Sequence, residues 1–212
     1  SALAMNKFLS LRLFKDHDIS VPRTFLLSRL EWQTKPSITL EWIKHYGGYP
    51  IVIKPNNQGS SVGVSILKDG HEVSSALNDI FSSTRHALIQ NYIAGREMTC
   101  GVLDHGWPES AYPLLPTEII PRQSHFFDYE SKYELNASDE ITPPNNLTQD
   151  LSSAIRKVAL IAHRLIGARS FSRTDMILDK QGRIFVLEVN TIPGLTEGSL
   201  LPKAALATGI SF

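Results

Sequence analysis

Residues 173–190 read RTDMILDKQGRIFVLEVN, and this stretch decides the fold. Two apolar runs flank the polar four-residue segment Asp179–Gly182, a pattern that predicts an antiparallel β-hairpin. Both runs are rich in the branched and aromatic side chains that strands favour. Polar residues return only at the ends of the runs that lie away from the turn. The hairpin therefore combines an apolar body with a polar open end.

The register of the hairpin determines which polar side chains meet. With the turn at Asp179–Gly182, Leu178 lies opposite Arg183, and the same register places Arg173 opposite Glu188. Opposed residues share a sheet face, and side chains alternate along each strand. A slip of one residue would scatter them between the two faces. Four polar residues of the open end are thus expected on one face: Arg173, Asp175, Glu188 and Asn190.

These four residues allow two interpretations. Arg173 and Glu188 could form a plain cross-strand ion pair, worth ~0.2–1 kcal/mol. However, Asp175, Glu188 and Asn190 together offer hard oxygen ligands of the kind that hold Mg²⁺ along with substrate phosphates. Because the strands are otherwise apolar, acids at their end need a compensating cation. The sequence favours a magnesium site.

A glycine- and serine-rich loop follows another predicted strand. Residues 51–65 read IVIKPNNQGSSVGVS, with Lys54 at the end of the strand and small residues from Gly59 to Gly63. Small residues let backbone amides approach phosphate oxygens, and a lysine adds charge. The P-loop pattern GxxxxGK[ST] is absent. Taken alone the loop is explained by a tight hairpin turn, but beside a magnesium site it predicts a clamp on a triphosphate.

The rest of the chain indicates an α+β protein. A helical stripe of apolar residues runs from Leu151 to Ile166 and stops at Gly167. A polar, aromatic loop is expected over 124–137, and a loop and a helix after Pro193. Two small α+β units are expected, with a boundary near residues 90–95. Further helices are expected over 3–15, 39–46 and 71–83, and strands over 21–27, 49–55, 86–93, 97–103 and 111–119.

The composition excludes several classes of protein. Hydrophobic residues make up 42% of the 212, charged residues 20%, and acids and bases balance at 21 each. No general positive field attracts nucleic acid, and no apolar run approaches the ~20 residues that span a bilayer. The first residues, SALAMNKFLSLRLF, lack the pattern of a signal peptide. Since Cys100 is the one cysteine, we expect no disulfide, and a cytoplasmic protein fits. The charge balance and the lack of a long apolar run lead us to expect neither a nucleic-acid partner nor a membrane partner.

Four motifs in order resemble the D-alanine–D-alanine ligase family of the ATP-grasp superfamily. They are IVIKPNNQGSSVG, FFDYESKY, SRTDMIL and LEVNTIPGLTEGSLLPKAA, and the resemblance covers the whole chain. It implies two α+β subdomains that clamp ATP between antiparallel sheets. Residues 1–90 would form the central subdomain with the glycine-serine loop, and 91–212 the catalytic subdomain with a mobile loop and the magnesium site.

The resemblance also implies a role for each matching residue. Residues expected to contact ATP are Lys7, Lys54, Ser61, Gln90, Asn91, Tyr92, Ile93, Glu97 and Lys132. Residues expected to serve catalysis and the two amino-acid subsites are Ser60, Lys132, Tyr133, Arg173, Gly194 and Ser199, with Leu200 beside the last. Metal ligands are expected to be Asp175, Glu188 and Asn190. One departure is Gln90, which stands where the family usually has an acid and still offers a carbonyl acceptor to adenine.

The implied activity is ligation of two D-alanines to D-alanyl-D-alanine for peptidoglycan precursor synthesis. The first carboxylate would take the γ-phosphate as an acyl phosphate, and the second amine would displace phosphate. The implied cofactors are ATP and two Mg²⁺ ions, with Mn²⁺ as a substitute, and the implied assembly is a homodimer. The preceding domain of the family and its last helix are not in these 212 residues. We therefore expect weak nucleotide binding and no ligation from this stretch alone.

Three other functions compete with this one. A D-alanine–D-lactate ligase is the nearest, although Tyr133 in the lysine-tyrosine loop favours an amine acceptor. Another ATP-grasp carboxylate–amine ligase, of the glutathione or biotin pathways, fits FFDYESKY and GLTEGSL less well. A non-catalytic nucleotide-binding module is disfavoured because Arg173, Asp175, Glu188 and Asn190 are all present.

Overall fold

The computed structural model describes residues 2–59, 63–105, 110–122 and 138–211. Within these residues the chain forms two antiparallel sheets, as the sequence predicted. The first sheet has four strands in the order β1-β4-β2-β3. Its strands are β1 (Thr24–Ser28), β2 (Ile51–Pro55), β3 (Ser65–Leu67) and β4 (His86–Asn91). The glycine-serine loop connects β2 to β3, which pair with each other.

Three helices accompany the first sheet: α3 (Arg29–Thr34), α4 (Pro36–Trp42) and α5 (Val73–Ser83). The sequence did not predict α3, which begins at a capping box formed by Ser28 and Glu31. Helix α4 continues as one π-helical turn, Ile43–Gly47, and stops at Gly48, whose φ is 63°. Apolar residues of α5 pack with alternate residues of β2 and β4 in one core.

The second sheet has six strands. Its order is β10-β9-β5-β7-β8, with β6 paired to β5. The strands are β5 (Gly95–Leu103), β6 (Tyr112–Pro113), β7 (Thr117–Pro121), β8 (Ser138–Ile141), β9 (Phe171–Asp179) and β10 (Ile184–Asn190). The segment predicted as one region over 111–119 is thus two short strands, while β8 was not predicted. The predicted loop over 124–137 lies outside the described residues.

Four helices lie with the second sheet: α1 (Ala2–Met5), α2 (Lys7–Lys15), α6 (Gln149–Leu165) and α7 (Leu200–Ala207). Helix α6 matches the predicted stripe, and its stop at Gly167 has a φ of 64°. The single helix predicted over 3–15 was wrong. It is broken at Asn6, whose side chain caps α2 by accepting from the amide of Leu9.

Helix α2 belongs to the core of the second sheet, although it precedes the first sheet in the chain. Leu11 and Phe14 pack in one cluster with Met98, Ile155 and Met176. Residues 92–94 connect β4 of the first sheet to β5 of the second sheet. Within the described residues, no helix is both long and apolar enough to cross a membrane.

The hairpin of β9 and β10 forms as predicted, but its predicted register was wrong. Leu178 lies opposite Ile184, not Arg183, because the connection is a three-residue loop. Gly182 has a φ of 79°, and a glycine in this conformation at the third loop position is typical of such loops. This change alone would move the side chains of β10 to the other face.

A β-bulge in β10 restores the face. The register shifts again between Val186 and Glu188, so that Asp175 lies opposite Glu188 and Arg173 opposite Asn190. The two buried residues Val186 and Val189 are accordingly three positions apart instead of two. The two shifts add to two residues, and because side chains alternate with a period of two along a strand, the predicted cluster forms on one face despite the wrong pairing.

Candidate active site

A polar face of the second sheet gathers side chains from three adjacent strands. Along β9 the even-numbered residues from Ser172 to Leu178 are buried, whereas Arg173 and Asp175 lie half-buried on the opposite face. Strand pairing brings residues of β5 and β10 to that same face. We call it the polar face, and it comprises Glu97, Thr99, Arg173, Asp175, Glu188 and Asn190.

Asp175 is the centre of this face and accepts four hydrogen bonds. Its Oδ1 accepts from Thr99 Oγ1 at 2.8 Å and from Arg173 Nε at 2.8 Å. Its Oδ2 accepts from Arg173 Nη2 at 2.9 Å and from Asn190 Nδ2 at 2.9 Å. An ionised carboxylate has about four lone-pair sites, so the donors satisfy it. Three strands thereby converge on one carboxylate.

Two acids and one arginine share a small volume here. Asn190 Nδ2, which donates to Asp175, also lies 3.4 Å from Glu188 Oε1. Burial disfavours the charge of Arg173, but the neighbouring carboxylates of Asp175, Glu188 and Glu97 outweigh this effect and raise the pKa of its guanidinium. Arg173 is therefore a permanent cation beside the two acids.

Lys7 joins the polar face to the glycine-serine loop. Its Nζ lies 3.2 Å from Glu188 Oε2 and donates to the carbonyl oxygen of Gln58 at 2.6 Å. The side chain is only 8% exposed, so the pair is held in a mostly dry environment. Asn56 also holds this end of α2, accepting through Oδ1 from the amide of Phe8. The first turn of α2 is thus a bridge between the two sheets.

Lys54 and Gln90 lie on one face of the first sheet. Lys54 is opposite Leu88 and Val52 is opposite Gln90, while Ile89 and other odd-numbered residues fill the core on the other side. Lys54 is 7% exposed and Gln90 is 2% exposed. Both predicted nucleotide contacts are therefore on the face turned away from the helical core, as a shared site requires.

The amide of Gln90 is held in a defined orientation. Its Nε2 donates to Thr24 Oγ1 at 2.7 Å, and that hydroxyl donates to the carbonyl oxygen of Pro22 at 2.7 Å. A hydroxyl has a single proton, so Thr24 must be the acceptor of the Gln90 bond. The carbonyl oxygen of the Gln90 side chain consequently points away from Thr24.

Backbone hydrogen bonds attach the next two residues of the predicted hinge to the segments that precede β1 and β2 of the first sheet. The amide of Asn91 donates to Arg23 O at 3.2 Å, and that of Tyr92 donates to Pro50 O at 3.1 Å. Ile93 follows and is half-buried. The Oδ1 atom of Asn91 is buried and has no hydrogen-bond partner among the described residues.

A loop connects the end of β10 to the start of α7. Ser199 is the N-cap of α7, yet its hydroxyl bonds to Thr196 Oγ1 at 2.8 Å and leaves the helix amides uncapped by a side chain. A Cβ atom at Gly194 would lie 2.7 Å from Ser199 Oγ, so a larger residue here would displace the Ser199 hydroxyl. Leu200 begins the helix and is half-buried. Gly194, Ser199 and Leu200 therefore lie together at one end of the loop.

The predicted residues divide into four sets, one of which is the group of Gly194, Ser199 and Leu200 beside α7. Four residues of the hairpin cluster as expected, and Lys7 and Glu97 join them. Lys54, Gln90 and Asn91 belong to strands of the first sheet, and Tyr92 and Ile93 lie in the connection to β5. Four predicted residues lie outside the described part of the chain: Ser60, Ser61, Lys132 and Tyr133.

The donor set of the polar face fits magnesium held partly by phosphate. Among the described residues, no group of three or more His, Cys, Asp or Glu lies together, so a metal cage made only of these side chains is absent there. Two carboxylates and an amide fit Mg²⁺, which keeps several waters and takes phosphate oxygens. Asp175 Oδ2 and Glu188 Oε1 contact the same nitrogen, so one cation could contact both.

Sequence reasoning missed Thr99. Its hydroxyl reaches Asp175 because β5 pairs with β9. The available signal was the period of two from Glu97 on the same strand, which places Thr99 on the same face. Using that signal required knowing that β5 and β9 are neighbours, which residue types alone do not reveal.

This chain has an ATP-grasp fold, with two antiparallel sheets, a glycine-serine loop after the strand that carries Lys54, and acids at the end of the hairpin. More narrowly, the chain belongs to the family described as D-ala D-ala ligase C-terminus, whose model matches residues 13–212. A D-alanine–D-alanine ligase from Nitratidesulfovibrio vulgaris is 38% identical over 213 residues, covering all of this chain and 65% of the relative. The chain therefore spans about 65% of the length of that curated relative.

Solved structures agree with this membership. The D-Ala:D-Ser ligase VanG from Enterococcus faecalis superposes with a TM-score of 0.86 at 30% identity, covering 99% of this chain and 59% of that one. A D-alanine–D-alanine ligase from Bacillus anthracis complexed with ATP superposes with a TM-score of 0.75 at 31% identity, covering 99% and 63%.

Proposed function

We propose that this chain forms the nucleotide-binding and catalytic part of an ATP-dependent ligase that joins two D-alanines for peptidoglycan precursor synthesis. The observation that carries the proposal is the polar face, where Arg173, Asp175, Glu188 and Asn190 meet Lys7. The names of the relatives and the ATP complex of one of them support the choice of substrates.

The proposed chemistry depends on gathering cations around crowded anions. Transfer of the γ-phosphoryl group to the carboxylate of the first D-alanine creates an acyl phosphate, which the amine of the second attacks. Positioning and electrostatic stabilisation supply most of the catalysis in such transfers. Lys7 and Arg173 supply fixed positive charge, and Arg173 would stabilise the oxyanion together with the amide of Gly194. Lys54 is proposed to add charge at the phosphates.

Asp175, Glu188 and Asn190 are proposed to hold two Mg²⁺ ions, with Mn²⁺ as a substitute. The bound ions would neutralise the phosphate oxygens. The same carboxylates are bonded by protein donors: Arg173 and Asn190 bond Asp175, and Lys7 pairs with Glu188.

The nucleobase is proposed to lie against the hinge from Gln90 to Ile93, with Glu97 on the ribose. Because the amide nitrogen of Gln90 donates to Thr24, the carbonyl oxygen of the Gln90 side chain points away from Thr24. That oxygen can accept a hydrogen bond from the adenine amino group. This supports adenine over a 6-oxo purine at the position where the family usually has an acid.

The acceptor is proposed to be D-alanine, bound near Ser199 and Leu200. Ser199 lies at the start of α7, where uncapped helix amides favour a carboxylate. D-serine is a second candidate, because one of the superposed structures is a D-Ala:D-Ser ligase. Ser60, Ser61, Lys132 and Tyr133 keep their sequence-based assignments to the first D-alanine, the phosphates and the closing loop. The assembly is proposed to be a homodimer.

The proposal is tested by ADP formation in the protein at its natural length, with ATP, Mg²⁺ and D-alanine, D-serine or D-lactate. D-Alanine is expected to stimulate ADP release, and D-alanyl-D-alanine is the expected product. By comparison with the loss of an oxyanion donor, Arg173→Ala is expected to lower kcat by roughly 10²–10³.

Arg183→Ala is the matched control. Arg183 belongs to the same hairpin, but it pairs with Asp179 at the turn and its side chain is 65% exposed. Its removal should leave kcat unchanged. Equal turnover of Arg173→Ala and wild type would refute the role of Arg173. A rate of ADP release that neither D-alanine nor D-serine increases would refute the ligase assignment.

A further inference from the structure

The hydroxyl of Thr99 makes the one hydrogen bond that reaches Asp175 from β5 among the described residues. Thr99 lies directly opposite Asp175 in the sheet, and its Oγ1 is 2.8 Å from Asp175 Oδ1. The residue is 2% exposed. Bulk water therefore has little access to this bond.

The proton of that hydroxyl has two acceptors in reach, and Asp175 is the stronger. Thr174 O lies 3.3 Å away, near the limit of a hydroxyl bond, whereas the Asp175 contact is short and its acceptor is charged. A β-branched side chain in a strand has little rotamer freedom, so the direction of the hydroxyl is set by the backbone. Thr99 is consequently a rigid, neutral donor.

We propose that Thr99 is a positioning residue that holds Asp175 in the orientation in which it binds a divalent cation. This inference rests on the proposed function, because the cation at Asp175 is part of it. With Oδ1 anchored toward β5, Oδ2 is turned toward β10, where Asn190 Nδ2 lies between it and Glu188. Oδ2 is thus the oxygen that shares a cation with Glu188.

Arg173 cannot replace Thr99 in this role. Its guanidinium holds both oxygens of Asp175, but a dication beside Asp175 repels that guanidinium and weakens the pairing. The Thr99 hydroxyl carries no charge and keeps its bond when the cation is present. Hydrogen bonds to ligating carboxylates typically change metal affinity by 10- to 100-fold.

The test is a titration of the 212-residue chain with Mn²⁺, alone and with ADP, in which the electron paramagnetic resonance signal reports free Mn²⁺. Thr99→Val keeps the shape and removes the hydroxyl, and it is expected to weaken Mn²⁺ binding by about 10-fold or more. Thr99→Ser keeps the hydroxyl and is expected to bind close to wild type. Thermal unfolding with a chelator present measures stability separately.

Thr174→Val is the matched control. Thr174 precedes Asp175, is fully buried, and its hydroxyl has no partner among the described residues. Its removal is expected to leave Mn²⁺ affinity unchanged. If Thr99→Val does not fold, Thr99→Ser and Thr99→Ala decide the question, since they differ by one hydroxyl.

The outcomes separate this inference from the proposed function. Tight Mn²⁺ binding by wild type and equally by Thr99→Val overturns the positioning role alone. An equal loss in Thr174→Val also overturns it, because the effect would then come from repacking. A wild type that binds no Mn²⁺, with or without ADP, overturns the metal site and the positioning role together.

Discussion

Replacing Lys7 by Met tests the bridge between the two sheets, because methionine keeps the apolar stem and removes the ammonium group. The Nζ atom contacts Glu188 Oε2 at 3.2 Å and Gln58 O at 2.6 Å, and the Lys7 side chain is 8% exposed. Hydrogen bonds to charged groups contribute about 1.5–3 kcal/mol. Because the Glu188 side chain is 21% exposed and partly screened, we expect a loss of about 1–2 kcal/mol. For a chain of this size, that lowers Tm by roughly 2–8 °C.

The same substitution should weaken nucleotide binding. If Lys7 turns from Glu188 to the phosphates of ADP, its loss removes a charge-assisted hydrogen bond and weakens Kd by about 10- to 100-fold. Calorimetric titration with ADP and Mg²⁺ measures Kd, and thermal unfolding measures Tm. Lys15→Met is the control, because Lys15 is an exposed lysine at the other end of the same helix. If Lys7→Met has the same Tm and the same Kd for ADP as Lys15→Met, the contacts of Lys7 contribute neither to stability nor to nucleotide binding.

Two further predictions concern buried titratable groups. Burial raises the pKa of the Cys100 thiol to about 12, so a thiol reagent at neutral pH should label this cysteine only when the chain is unfolded, and rapid labelling of the native chain would contradict its burial. Burial lowers the pKa of His163 despite the carboxylate of Asp104, so its contribution to stability is full above the ordinary value of about 6.5 and is lost as the pH falls below it. Tm should accordingly drop more steeply between pH 7 and pH 5 in wild type than in His163→Gln, and parallel pH profiles would contradict this assignment.

The spacing of apolar residues was sufficient to predict most helices and strands, but it did not predict where some of them begin or end. The apolar stripe of α6 and the alternation of β9 predicted both elements, because burial of one face imposes a period on the residues. The break at Asn6 and the helix α3 were missed because each depends on a single capping interaction. A cap depends on one residue, whereas the periodic pattern extends over many residues and is therefore easier to recognise.

The candidate site shows the same division. The hairpin cluster was predicted, since the alternation along two adjacent strands is local. The predicted pairing was one residue out of register beside the turn and two residues out at the cluster, because the turn at Gly182 and the bulge before Glu188 each shift the register by one residue. Two shifts leave the side chains on the predicted face. Register depends on turn geometry and on which residues pack beneath the sheet, and neither is visible in residue types alone.

By itself the sequence determined the α+β class, the apolar body of the hairpin and the identity of the acids and cations near its open end. Only the tertiary structure decided that Lys7 would pair with Glu188, which is 181 positions away in the chain, and that Thr99 would lie against Asp175. The physical reason is that such contacts depend on which strands become neighbours. That choice minimises the free energy of the whole core, and no short window of residues encodes it.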